Sequence, residues 1–315
     1  MALLSGSISV TRFNVPSTPD VPDFDQVPFR EIQPGSERRE SLGFVPFEPE
    51  APYQVGHRRF AFRVRIDKVK PDPTRLKERL AELVRTEIEA TGAAYVGPKK
   101  RKELKHLAEE ELVVQASPQS QIVEGVLDGH VLYLGTTANN RLGTILLLLR
   151  RLEVLAEFKT PWIDLGDPEV KSDLVDTGDA SQSVLGCQFL KSLVDDREVM
   201  FEPEAGSVRL QTRDARVSLT GGVLPELLRY LERDDDVEIL AAKLLTPEAR
   251  FRLDGLSWRL SGLSIETSGG GHWIERLDER MEKLASVFEL LDRKYAEHRR
   301  GGRREVKPEA VGAEA

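Results

Sequence analysis

Polar and apolar residues alternate most cleanly in Arg59-Phe60-Ala61-Phe62-Arg63-Val64-Arg65-Ile66. Phe60, Phe62, Val64 and Ile66 fall on one face and Arg59, Arg63 and Arg65 on the other, the period-two pattern of a half-buried strand. Two further alternating runs, 121–126 and 130–136, flank Leu127-Asp128-Gly129, a hairpin signal. Residues 5–10 read as a first strand. Helical spacing appears in three places within the first half. Leu76, Leu80, Leu83, Val84 and Ile88 follow the cap Asp72-Pro73. Leu104, Leu107, Ala108 and Leu112 follow Gly97-Pro98, a sparse apolar face behind a proline suited to the first helical position. Leu142, Ile145, Leu146, Leu149 and Leu152 form the third stripe.

The second half repeats the alternation in shorter pieces. Strands are expected at 199–201, 208–210, 217–219, 237–245, 250–253 and 258–265, with helices at 181–194 and 223–233. Ile274, Leu277, Met281, Leu284, Phe288, Leu291 and Tyr295 then recur at alternating steps of three and four, a heptad seam. Such a seam packs either on its own domain or on a second copy, in which case Leu277, Met281, Leu284, Phe288 and Leu291 are the dimer contact. The fold class expected is α+β: mixed or antiparallel sheets with flanking helices, in two or three modules. Their bounds are 1–158, a Pro/Gly/Asp-rich connector at 159–180, a second module at 181–271, the heptad helix at 272–300 and a disordered tail at 301–315. Pro16, Pro19, Pro22, Pro28 and Pro34 exclude a long helix early in the chain, leaving room for a short one around Phe24, Val27 and Phe29.

Charge changes this picture. The 315 residues carry a net charge of −8, which by itself argues against a nucleic-acid partner. Its distribution argues the other way: residues 58–105 hold 15 Lys+Arg against 7 Asp+Glu. A basic segment in an acidic chain is the footprint of an anion-binding surface confined to one region. Lys99, Lys100, Arg101, Lys102 and Lys105 crowd the start of one helix, where the partial positive charge of the helix end opposes them. With Arg59, Arg63 and Arg65 they make the candidate DNA-binding set, contacting phosphates with little sequence preference. No aromatic residue stands clearly among these cations, so duplex is expected over single strand.

The order of basic helix, strand pair and Leu-rich helix ending in Leu148-Leu149-Arg150-Arg151-Leu152 resembles the bacterial recombination-associated protein RdgC family. Ser41-Leu42-Gly43-Phe44-Val45-Pro46 is similar to that family's Gly-aromatic-Val-Pro turn, with weaker matches at 186–190 and 280–293. The resemblance implies a ring- or horseshoe-shaped homodimer that encircles or clamps duplex DNA and limits the access of RecA recombinase. It also implies association with the nucleoid. The Pro-rich segment departs from the regular helix expected in the family's N-terminal region.

Other chemistry is sparse. There is no Gly-Lys dipeptide for a phosphate-binding loop and no metal-ligand spacing among the five histidines and the single Cys187. No cofactor is therefore expected. One cysteine fits a reducing cytoplasm, and the first residues lack the charged and long apolar regions of a secretory signal. No run is long enough for a membrane span. Two alternatives to non-catalytic DNA binding stay open. One is a metal-dependent exonuclease using Asp164, Glu169 and Lys171, and the other is a scaffold that dimerises through the heptads and ignores DNA.

Overall fold

From the N-terminus the strands and helices run β1 (Ile8–Ser17), β2 (Glu40–Val45), β3 (Gln54–Gly56), β4 (Arg59–Val69), α1 (Pro73–Thr91) and α2 (Pro98–Val113). Then come β5 (Pro118–Asp128), β6 (Val131–Leu134), α3 (Asn139–Arg151), β7 (Leu155–Phe158), α4 (Pro161–Asp164) and α5 (Leu185–Ser192). The last third holds β8 (Met200–Phe201), β9 (Gly206–Gln211), β10 (Arg216–Gly221), α6 (Leu224–Arg233), β11 (Glu238–Leu245), β12 (Ala249–Asp254), β13 (Arg259–Ile265) and α7 (Trp273–Arg304). The computed structural model describes residues 3–304 except 5, 34, 35, 37, 115, 168–171, 176–178, 180, 235 and 268–270, with only the backbone of 302–304. Pro34, Glu169, Lys171, the glycine-rich stretch 268–270 and tail residues 305–315 thus lie outside the described residues.

The chain is α+β, and its strands pair antiparallel where β1 meets β13 and β6, β9 meets β10, β11 meets β12, β12 meets β13, β2 meets β4 and β5 meets β6. It divides into two compact units that interleave in sequence. Met1–Pro22, Gln54–Ala61 and Glu124–Ala315 form the larger, Asp23–Tyr53 and Phe62–Val123 the smaller. This replaces the expected boundaries: both flanks of the 159–180 connector belong to the larger unit. The reason is β1, whose Ile8 and Val10 pair with Leu263 and Leu260 of β13, so the chain's first strand is held by its last.

In the larger unit the strands follow the order β10-β9-β11-β12-β13-β1-β6. β6 continues into the hairpin with β5, where Asp128 pairs with Val131 around Gly129, at φ 57°. One sheet face carries Val208, Leu210, Phe251, Leu253, Leu260 and Leu263, all buried. α5 covers part of it, and Gly186 of that helix is required: a Cβ there would stand 2.0 Å from the Gly255 carbonyl oxygen. α7 covers more. Leu277, Leu284, Phe288, Leu291 and Tyr295 are each 0 % exposed and Met281 is 2 % exposed. Phe288 packs on Tyr133 of β6 at 6.1 Å between rings, and Tyr295 joins Trp162, Phe189 and Trp258. The seam expected to make the dimer contact is therefore consumed within its own chain. Hydrophobic burial against a sheet satisfies a heptad spacing as well as a second helix does.

In the smaller unit Phe24, Phe44, Phe62 and Tyr53 form an aromatic core, with Phe24 centred 5.1 Å from both Phe44 and Phe62. Residues 41–46, likened to a turn on resemblance, lie mostly in strand β2, paired along β4 from Glu40↔Lys68 to Val45↔Arg63. Gly43 lets a further segment approach this strand. A Cβ there would lie 2.4 Å from the Phe29 backbone nitrogen, and the segment carrying Phe29 bonds to Phe44 from the other side (3.1 and 2.9 Å). α1 and α2 complete the unit as a helical hairpin.

Candidate nucleic-acid interface

Asp72 caps α1, its carboxylate accepting from the N–H groups of Thr74 and Arg75 at 2.9 Å each. Gly92 ends the helix in the left-handed conformation at φ 64°, and α2 restarts at Pro98 after Gly97. Arg79 on the first half of α1 pairs with Glu111 at the end of α2 (2.7 Å), while Lys100 at the start of α2 reaches Glu87 late in α1 (3.5 Å). Those two pairs fix the helices as antiparallel. No residue of α1 is fully buried, and only Leu104 and Ala108 of α2 are. A cleft of about 390 Å³ opens beside Lys70, Arg75, Leu112 and Gln119.

Charge runs the wrong way along α2. Lys99, Lys100, Arg101 and Lys102 occupy its first turns and Glu109, Glu110 and Glu111 its last, each against the helix dipole. Part of this is offset locally: Glu111 is held below the usual carboxylate range by the Arg79 hydrogen bond, and Lys105 and His106 face Glu109 and Glu110 at 3.6 and 3.4 Å. Lys99, Arg101 and Lys102 have no acidic partner among the described residues, and all three are exposed. Tyr95, in the loop just before them, is 77 % exposed. Sequence reading missed it because it sits three residues outside the helix, in a turn with no periodicity to draw attention to it.

The strand arginines differ. Arg59 lies between Asp128 and Asp278, 2.6 Å from each, and those hydrogen bonds raise its pKa. Arg63 lies over the Phe47 ring (4.7 Å) and donates to the Phe47 carbonyl. Arg65 bonds to Asp67 through Nε (3.0 Å) and Nη2 (2.8 Å) and stacks on Phe29 at 4.4 Å. All three are half-buried. They therefore differ from the cations of α2, because each guanidinium is engaged with the chain's own groups. Of the eight candidate cations, the structure leaves the N-terminal turn of α2 as the one unneutralised group.

Asp164 of the nuclease alternative pairs with Lys159 at 2.9 Å. Among the described residues no group of three or more His, Cys, Asp or Glu is placed to hold a metal ion, and no helix is long and apolar enough to cross a membrane. No protein-family model matches the chain, and no curated protein matches it significantly.

Proposed function

We propose that the chain binds nucleic acid without catalysis, taking duplex DNA by its phosphates through the first turns of α2. The observation that carries this reading is the trio Lys99, Arg101 and Lys102: exposed, without acidic partners, and set against a helix dipole that a phosphate would relieve. In the manner that resemblance to the RdgC family implies, the protein acts as a homodimer that clamps DNA and limits access of RecA. With the α7 seam buried, the contact between copies falls on some other surface. Tyr95 favours a second mode on the same loop, since an exposed aromatic beside cations can stack an unpaired base.

The test is a salt titration of duplex binding, with wild type beside Lys99→Glu/Arg101→Glu/Lys102→Glu. Each lost phosphate contact lowers the slope of log K against log salt by about 0.9, so three lower it by about 2.7. Glutamates at a helix N-terminus also suit the dipole, so the variant should unfold no earlier than wild type. Equal slopes for the two proteins would remove α2 as the DNA surface.

A further inference from the structure

A second cationic cluster lies in the larger unit, outside the basic segment 58–105. Across the sheet, Arg209 of β9 stands opposite Ala241 of β11, Ala241 opposite Asp254 of β12, and Asp254 opposite Arg259 of β13. One step along, Lys243 stands opposite Arg252, and Arg252 opposite Ser261. These side chains share the face turned away from buried Val208, Phe251 and Leu253, because side chains alternate along each strand. Arg209, Arg252, Asp254, Ser257, Arg259 and Ser261 line a cleft of about 320 Å³.

We propose that this cleft binds a phosphate monoester, the terminal phosphate of a nucleotide or of a nucleic-acid strand. Three guanidiniums line the cleft with one carboxylate, Asp254, among them, and the charge of Asp179 reaches Arg259 from outside the lining, so the cleft keeps a positive surplus that suits a phosphate. Arg209 and Arg252 have no hydrogen-bond acceptor or acid partner among the described residues. Arg252 is held below the usual arginine range by burial first and by the charge of Arg209 second. Forked N–H donors in this arrangement fit a tetrahedral oxyanion.

The remaining parts hold the site in shape. Arg259 is 7 % exposed, donates to the Thr137 carbonyl at 3.0 Å and to Asn139, and lies over the Phe158 ring at 5.3 Å. Asp254 accepts the Ser257 N–H and hydroxyl on one carboxylate oxygen at 2.9 and 2.8 Å, which fixes its orientation in the cleft. Between them Trp258 sits at φ 54°, a strained backbone for a bulky side chain, with its indole N–H on Asp292 at 3.2 Å. Lys243 is tied to the Ala205 carbonyl at 2.8 Å. The arrangement is independent of α2: different residues in the other unit.

The experiment is thermal unfolding of the full chain in inorganic phosphate, AMP, adenosine, and one oligonucleotide with and without a 5′-phosphate, all at matched ionic strength. Phosphate and at least one phosphorylated ligand should raise the melting temperature; with ligand at about ten times Kd the folding constant rises about 11-fold. Adenosine should do nothing. Arg209→Ala/Arg252→Ala should abolish the shift, yet melt in chloride no lower than wild type, since it relieves repulsion. Lys99→Glu/Arg101→Glu/Lys102→Glu should keep the shift, which separates this site from the α2 reading. A response to AMP alone assigns the site to free nucleotides, and a response to the phosphorylated strand alone assigns it to strand ends. No shift in wild type, or an undiminished shift in Arg209→Ala/Arg252→Ala, overturns the proposal.

Discussion

α7 and the α1–α2 hairpin are both amphipathic by spacing, yet they do opposite work. The apolar side of α7 is sealed, with five seam residues at 0 % exposure. Several of its charges are partnered as well: Arg280 donates to the carbonyls of Leu3 (2.6 Å) and Gly6 (2.8 Å), Lys294 lies 2.9 Å from Asp196 and 2.7 Å from Glu198, and Arg299 reaches Asp167. α1 has no buried residue at all, and α2 leaves three cations without acids. A helix whose apolar seam is sealed and whose cations are tied to distant parts of its own chain is scaffold. A helix that leaves charge unmatched, at the end where its dipole makes that charge costly, is the better candidate for meeting a ligand.

The widest gap expected between them is in stability. Phe288→Ala should cost about 3–5 kcal/mol, because it opens a cavity under Tyr133 and removes the ring over which Arg12 lies at 4.4 Å. Leu80→Ala on half-buried α1 should cost about 1 kcal/mol, the ordinary size for a partly exposed site. Urea unfolding of both variants measures this directly. Comparable losses would mean that the hairpin is as much part of the core as α7 is.

A smaller effect sharpens the functional side. Tyr95→Ala removes an exposed ring and no buried packing, so folding should be unchanged. If the loop stacks an unpaired base, affinity for single-stranded DNA should drop by about 1–3 kcal/mol while duplex affinity holds. Equal losses on both substrates would return Tyr95 to a loop residue without a stacking role.

What could be read from sequence was what repeats locally. The alternation of β4, the hairpin around Gly129, the stripe of α3 and the seam of α7 all appear where their spacing put them. The partners did not, because they are far away in the chain. Arg59 looked free until Asp128 and Asp278 came beside it, and the α7 seam looked available until β6 and β13 lay under it. The strand at 40–45 is hidden for a similar reason, since its partner β4 lies about twenty residues on and Phe29 approaches Gly43 from a third segment. The Arg209–Arg252–Arg259 cluster needed register: three arginines on three strands become neighbours only when the sheet is assembled.

The finest test of the contrast is pH. His298, on α7 beyond the seam, faces Phe189 at 6.3 Å and is held below the usual histidine range, first by burial and then by the neighbouring charge of Arg299, with Asp167 opposing. In the unfolded chain the ring takes up its proton near pH 6.5. Between the depressed folded value and about 6.5 the unfolded state therefore holds more protons than the folded one, and stability rises with pH through that window. The contribution of His298 is fully present above about 6.5 and is lost as pH falls. His298→Gln should flatten this part of the stability profile, read from unfolding midpoints across pH 5–7. The slope cannot exceed one proton, about 1.4 kcal/mol per pH unit. A profile that keeps its slope without the imidazole would locate the titrating group elsewhere, and α7 would no longer be the element through which acid loosens the fold.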